Sequence, residues 1–497
     1  MNIQIKSQLD TTCDVLVLGL FEEDTELYAK YNSHLAEDLT AAIQAKRLER
    51  TFGKTYSTKI NNSTYEHVLI VSLGKKSEFK ADHIRRAMQR IVHSLNQWKH
   101  KSATTNILDL VQKEVKDIKI SDKDLGRLAA EGLILSDYIF DKYLTKKADT
   151  KIDRIVIQFN DSKDFIIGIN EGKIIAESTN FAKNLVNEPS NVVTPTYLEK
   201  AVKQIFSKNP KIKITVLEKA QMEKLGLNAL LGVARASKEP PKLIIIQYNG
   251  GNVKDKSVAI VGKGITFDAG GYDIKPAGKF LDMKCDMSGA AAVIGTIKAM
   301  NELGVKKNII GVIPSCENMV DGSAQKPGDI VKAFNGKTIE IANTDAEGRL
   351  ILADAIAYAE KTYSPETIID LATLTGACIV ALGFYAAAIV SNDDELSKNL
   401  IEAGNASYDR VWPLPFYEEY QDLMDGDITD LKNLSKQAND RAAGTITGGV
   451  FISKFVDKAK WAHLDIASTA YVPEEKEYTQ KYATGAGVRL LSYYFMK

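Results

Sequence analysis

Histidine is scarce in this chain and unevenly spread. Five of its six histidines fall within the first 100 residues, and His463 is alone in the remainder. No HExxH pattern occurs, so the common helical zinc-protease arrangement is excluded. Cysteine is equally sparse. Cys13, Cys285, Cys316 and Cys378 never form a CxxC pair, which excludes a cysteine zinc knot and fits free thiols in a reducing compartment. Long hydrophobic runs are missing as well. The longest mainly apolar stretch, residues 377–390, is too short and too interrupted by glycine to span a bilayer. The opening MNIQIKSQLD has no basic start followed by an apolar core, so a cytoplasmic location is expected. Net charge is absent too: 64 basic residues balance 64 acidic ones, giving no overall bias toward nucleic acid or anionic membrane.

What remains is a soluble-type composition, 44% hydrophobic and 26% charged, in a chain long enough at 497 residues for two domains. Residues 14–20, 67–73, 107–110 and 154–159 read as short strands, with amphipathic helices at 35–48, 84–95 and 125–139 between them. That alternation favours a sheet covered by helices. The polar residues 145–151 read as a loop within this unit. A helical pattern over 174–185 stops before Asn187-Glu188-Pro189-Ser190-Asn191 and reads as the connector. Strand-like runs then recur at 213–217, 242–247, 257–261, 308–313, 367–371, 386–390 and 462–466, with clear helices at 288–303 and 348–362. The expected division is an N-terminal α/β domain over 1–165, a linker helix region over 166–190 and a second α/β domain over 191–497.

Three segments of the second unit carry chemistry. In VGKGITFDAGG, residues 261–271, a strand enters a glycine-rich turn presenting Lys263 and Asp268. The spacing does not match a nucleotide-binding P-loop, and a plain tight turn with two surface charges is the alternative. Asp286 precedes the small-residue run Ser288-Gly289-Ala290-Ala291-Ala292, as a helix cap or as a ligand. Asp282, beside Lys284, reads as a solvent-facing charge. In NTDAEGRL, residues 343–350, extended backbone would put Asp345 and Glu347 on one side, with Arg349 following; an ion-pair network is the bland reading. Taken together, Asp268, Asp286, Asp345 and Glu347 form an oxygen-rich set suited to divalent cations, and such a cluster repels itself unless cations or basic groups compensate. On these residues alone a metal-dependent phosphatase or deacetylase is as open as any other hydrolase. His463, in the strand-like 462–466, reads as a structural hydrogen-bonding residue.

These blocks, with IKPAGKFLDMKCDMSGAAA (274–292) and DLATLTGA (370–377), resemble the leucyl aminopeptidase family, the di-metal enzymes of peptidase family M17. The resemblance covers the whole second unit and is most specific at NTDAEGRL. It implies a larger C-terminal α/β/α catalytic domain with a central mixed sheet. It implies two divalent ions per subunit, manganese or zinc with magnesium or cobalt as further options, bridged by Asp268 and Glu347. Lys263 and Asp286 complete the tighter site, and Asp345 the more exchangeable one. Lys275 and Arg349 are implied as non-ligand catalytic residues, Arg349 holding a bicarbonate ion. A side-chain pocket of Met283, Thr373, Leu374, Gly376, Ala467 and Ala470 is also implied; methionine is common in the family where this chain has Ala470. The implied substrates are peptides with a free N-terminus, and the implied assembly is a hexamer arranged as a dimer of trimers. Some bacterial relatives bind DNA through the N-terminal domain. Here Arg85, Arg86 and Arg90 with Lys99-His100-Lys101 form the matching basic stretch, whose bland reading is an ordinary charged helix face.

Overall fold

The computed structural model describes residues 1–24, 33–59, 65–116, 119–147, 152–160, 162–437 and 442–497. Residues 148–151, at the end of the expected loop, lie outside them. The chain divides into two compact units, Met1–Glu177 with Glu475–Gln480, and Ser178–Glu474 with Lys481–Lys497.

The first unit is a six-stranded sheet of β1 (Asn2–Lys6), β2 (Val15–Phe21), β3 (Thr55–Thr58), β4 (His67–Gly74), β5 (Ser102–Thr105) and β6 (Arg154–Gln158), in the order β1-β6-β5-β2-β4-β3. Only β3 pairs antiparallel. The helices are α1 (Ser33–Gln44), α2 (Ala81–Trp98), α3 (Ile107–Glu114) and α4 (Asp122–Ser136). The run VLVLGLF makes β2 buried along its whole length, as a central parallel strand covered on both faces requires. Its alternate residues serve two cores: Val15, Val17 and Phe21 pack in the cluster that includes Ile84, Ile91 and Ile107, whereas Leu16, Leu18 and Leu20 pack with Leu35 and Leu39.

One expectation fails in this unit and another is modified. Residues 107–110 are not a strand; they open α3, because Ile107, Leu108, Leu110 and Val111 bury one helical face. The strand is the preceding four-residue β5, too short and too polar to stand out. The basic stretch is only partly exposed: Lys99 and Lys101 face solvent, whereas Arg86 and Arg90 are half-buried. Arg85 is 1% exposed and is held by Glu131 at 2.6 Å and Asp82 at 3.2 Å, Arg86 is paired with Asp82 at 2.8 Å, and His100 is buried. Arg85 and Arg86, committed to buried carboxylates, are not offered to a phosphate backbone.

Helix α5 (Lys163–Asn187) begins in the first unit and ends in the second. The second unit then runs α6 (Pro195–Phe206), β7 (Ile212–Leu217), α7 (Lys219–Leu225), α8 (Asn228–Ala234), β8 (Lys242–Asn249), β9 (Ser257–Gly262), β10 (Gly264–Asp268), α9 (Ser288–Leu303), β11 (Asn308–Asn318), β12 (Ile330–Lys332), β13 (Thr338–Glu340) and α10 (Gly348–Tyr363). It continues with β14 (Thr367–Ala372), α11 (Gly376–Leu382), β15 (Ala387–Ser391), α12 (Asp394–Ser407), β16 (Val411–Pro413), β17 (Leu431–Lys432), α13 (Gly444–Ser453), β18 (Lys460–Asp465), the short β19 (Tyr471–Val472) and β20 (Tyr482–Ala483), and α14 (Val488–Met496). Its main sheet has nine strands in the order β16-β15-β18-β14-β9-β11-β8-β7, with β10 added on β11. The centre, β18-β14-β9-β11, is parallel, and β15, β8 and β7 join antiparallel, so the sheet is mixed as expected. Helices α9 and α10 are buried over most of their length against this centre. Among the described residues, no helix is long and apolar enough to cross a membrane.

Candidate metal centre

In an open α/β sheet the backbone opens into a crevice at the carboxyl ends of the parallel strands. Here β9 ends at Gly262, β10 at Asp268, β11 at Asn318, β14 at Ala372 and β18 at Asp465. Lys263, Asp268, Asn318, Thr373 and Asp465 therefore stand at or just past one end of the sheet. Close backbone approach brings α9 in beneath them. A Cβ on Gly289 would lie 2.1 Å from Leu371 O and 2.7 Å from Lys263 N, so only glycine lets the helix start here. Ala290 N then donates to Lys263 O at 2.9 Å.

Asp286 sits on the 3₁₀ turn Met283–Met287 before that helix and does not cap it; the capping position is Met287, without a side-chain bond. Instead Asp286 Oδ1 accepts from Lys263 Nζ at 2.7 Å and from the Thr373 hydroxyl at 2.8 Å. Lys263 Nζ also lies 2.7 Å from Glu347 and donates to Thr373 O at 3.1 Å. A second lysine repeats the pattern: Lys275 Nζ is 2.7 Å from Asp268 Oδ2 and bonds Asp345 Oδ1. Asp268 Oδ1 accepts from Gly270 N at 2.9 Å and Asn318 Nδ2 at 2.8 Å. One oxygen each from Asp268, Asp286 and Glu347, all buried, lie within 4.8 Å of one another.

The segment joining Asp345 to Glu347 is not extended. Asp345 N and Ala346 N turn back onto Asn343, and Glu347 has helical backbone at the start of α10. Strand parity is therefore not what brings the two carboxylates to one place; a turn followed by a helix start is. Arg349, one residue into α10, is buried, with Nη1 donating to Asn433 O at 2.9 Å.

Burial and mutual repulsion shape the charges. Asp286 is pushed well above the usual carboxylate range by burial, which Lys263 opposes and Asp268 and Glu347 reinforce. Burial, with Glu347 and Asp268, raises Asp345 to about 6 against the pull of Lys275. For Lys263 and Lys275 burial disfavours the ammonium, but the surrounding carboxylates outweigh it and hold both above the ordinary lysine value. Arg349 is lowered to about 10 by burial, against Glu347 and Asp465.

The expected pocket residues divide. Thr373 joins the carboxylates directly. Leu374 and Ala467 are gathered by one buried carboxylate, Asp465, which accepts from Leu374 N at 3.1 Å, Ala467 N at 3.2 Å and the Thr375 hydroxyl at 2.6 Å. Gly376 opens α11 with nothing within 4 Å of an added Cβ, and Met283 shares the 3₁₀ turn of Asp286. Ala470 is buried at 2% exposure, its backbone bonded to Ile466 O and Thr484 N, and no bond links it to the carboxylates among the described residues. Asp282 is exposed. His463 is fully buried with Nδ1 2.5 Å from Asp370 Oδ1, and Trp461 Nε1 bonds the other oxygen at 2.7 Å.

Sequence reasoning missed the residues that hold these groups in place. Asn318 ties Asp268 to Thr344 O, Asp273 and Thr344 bond each other through side chain and backbone, and Asn433 clasps Ala342, Asn343 and Arg349. A lone asparagine has no spacing signature, and only the end of β11 beside β10 reveals Asn318.

Residues 180–492 match the cytosol aminopeptidase family, catalytic domain, and residues 17–147 the cytosol aminopeptidase family, N-terminal domain. A "Probable cytosol aminopeptidase" of Nitrosospira multiformis is 43% identical over 88% of this chain and 83% of its own length. Another, of Alkaliphilus oremlandii, is 40% identical over 100% of this chain and 99% of its own. Among solved structures, a mutant tomato leucine aminopeptidase aligns with TM-score 0.87 at 29% identity, covering 100% of this chain and 96% of its own. The bottromycin maturation enzyme BotP in complex with Mn aligns with TM-score 0.83 at 28% identity, over 97% and 99%. On sequence and fold alike, the chain belongs to the cytosol aminopeptidase family and is a hydrolase of the aminopeptidase class.

Proposed function

We propose that this aminopeptidase works with two divalent metal ions and removes N-terminal leucine or another apolar residue from peptides. The observation that carries the reading is the convergence of Asp268, Asp286 and Glu347 within 4.8 Å, with Asp286 Oδ2 and Glu347 Oε2 buried and without a hydrogen-bond partner among the described residues. Buried orphaned carboxylate oxygens are costly unless a cation meets them. Four carboxylates against two lysines also leave room for added positive charge.

Lys263, Asp268, Asp286, Asp345 and Glu347 would hold the ions, with Asp268 and Glu347 shared. Manganese or zinc suits this set of oxygens and one amine, and magnesium or cobalt is compatible. Lys263 Nζ stands between Asp286 and Glu347, and as a neutral amine it would add one nitrogen to the donor set. Bound ions supply a water nucleophile of lowered pKa and polarise the scissile carbonyl. Lys275, whose ammonium meets Asp268 and Asp345, would turn toward the oxyanion that develops on that carbonyl. Arg349 cannot accept a proton itself. Its Nε is buried without a partner among the described residues, which favours a small anion such as bicarbonate beside it as the proton acceptor. The apolar side chain would lie among Met283, Thr373, Leu374, Gly376, Ala467 and Ala470, where an alanine at 470 leaves more room than a longer residue would.

Hydrolysis of leucine p-nitroanilide is the test. Turnover should vanish on chelation, return with added manganese, and be absent for the N-acetylated substrate. Full turnover in the chelated enzyme would sink the metal reading, and cleavage of the acetylated substrate would sink the requirement for a free amine.

A further inference from the structure

His100, buried between the exposed Lys99 and Lys101, belongs to a second cluster of ligand-type side chains, in the first unit. Strands β5, β2 and β4 lie side by side and parallel, with their starts at one end. Asp14, just before β2, ties its two neighbours. Its carbonyl accepts from Glu66 N at 2.8 Å and His67 N at 3.4 Å, and its Oδ2 accepts from Lys101 N and Ser102 N, both at 2.9 Å. On this base His67 Nδ1 stands 2.8 Å from His100 Nε2, and the Glu66 carboxylate lies 3.6 Å from His100 Nδ1. One ligand atom from each of the three lies within 4.8 Å of the others. Trp98 contacts both rings: His67 stacks on it at 5.1 Å and 16°, and His100 meets it edge-on at 6.3 Å and 71°.

We propose that Glu66, His67 and His100 form a zinc site that clips the starts of β4 and β5 across β2. Two imidazole nitrogens and a carboxylate, with a fourth position left to water, are a donor set that zinc accepts. A 2.8 Å contact between two ring nitrogens needs one bare lone pair facing one N–H, so a shift of that proton to the other nitrogen of its own ring leaves both facing nitrogens as neutral ligands. Zinc–nitrogen bonds of about 2.0–2.1 Å in tetrahedral geometry put the nitrogens roughly 3.3 Å apart, so the rings need to separate by only about half an ångström. The Glu66 side chain is 69% exposed and free to swing onto the ion, which leaves the open position toward solvent. The three side chains stand at the starts of the two strands that flank β2, so the role of the site is structural. Imidazole selects zinc over manganese and magnesium, whereas the carboxylate centre of the second unit favours the harder ions. Zinc can enter both centres, so the site in the first unit is counted by difference against its histidine variants.

The test uses the full chain loaded with manganese and dialysed against micromolar free zinc. The protein should bind one more zinc per chain than His67→Gln or His100→Gln treated identically. Emission of Trp98 should change with zinc in the unaltered protein and not in the histidine variants; Trp412 and Trp461 belong to the second unit and contribute the same background to all of them. Glu66→Gln, at an exposed side chain that does not threaten folding, should weaken zinc binding roughly tenfold or more. Hydrolysis of leucine p-nitroanilide should be the same in all four proteins. Equal zinc counts in the unaltered protein and both histidine variants would overturn the proposal and leave the pair as a hydrogen-bonded clasp.

Discussion

At the scale of single residues, the centre is a contest between carboxylates and the groups that keep them apart. Asp268 illustrates it: one oxygen is fixed by Gly270 N and Asn318, and the other faces Lys275. Asp268→Asn keeps the shape and removes the charge. Metal content and turnover should both drop, turnover by at least about a hundredfold, since removing a metal ligand costs more than removing a supporting contact. Metal analysis beside the leucine p-nitroanilide assay checks it, and full metal content with undiminished turnover would remove Asp268 from the donor set. The charged members of this centre were legible in the sequence because they lie in contiguous blocks with glycine and small residues around them. Asn318, Asn433 and Asp465 were not. Each acts through bonds to residues 26 to 91 positions away, and nothing local announces such a partner.

At the scale of elements, type was more legible than cause. The helix expected over 288–303 matches α9, and the one over 348–362 matches α10 to within a residue, because both carry long apolar patterns with clear ends. The run at 107–110 misled because Ile-Leu-x-Leu suits a strand as well as one buried helical face, and length alone could not separate the two. The reach of α10 toward the centre depends on its first residue. A Cβ on Gly348 would meet Lys263 Cε at 2.6 Å and Nζ at 2.8 Å. Alanine would favour the helix by up to about 1 kcal/mol, yet crowding a packed interior costs about 1–3 kcal/mol. The crowding falls on the amine itself, so Gly348→Ala should lower metal affinity and turnover by roughly tenfold while far-UV circular dichroism stays unchanged. Normal metal binding in a folded Gly348→Ala protein would show that Lys263 does not need its present position.

At the scale of the whole molecule, two buried ionisable groups away from the carboxylate centre make folding stability depend on pH with opposite signs. Asp354 lies on α10 and accepts from Leu230 N at 3.0 Å and Phe334 N at 2.8 Å; burial, only partly opposed by these backbone donors, raises its carboxyl to about 7. The folded state then binds more protons than the unfolded one between about pH 4 and 7. Its contribution is full below the unfolded value and is lost as pH rises through 7. Lys183, on α5, is lowered to about 7 by burial and by the charge of Arg489. Here the unfolded state binds the extra proton, so the contribution is present above the unfolded value near 10.5 and is lost as pH falls through 7. Each effect has a limiting slope of about 1.4 kcal/mol per pH unit. Urea unfolding across pH should therefore show the unaltered protein losing stability relative to Asp354→Asn from about pH 4 to 7, and gaining it relative to Lys183→Met from about pH 7 to 10. The comparison with each variant cancels the many surface groups that titrate alike in both proteins. Parallel curves for either pair would mean that the group concerned titrates in the folded chain as it does in the unfolded one, and that its burial is relieved by water or by a countercharge.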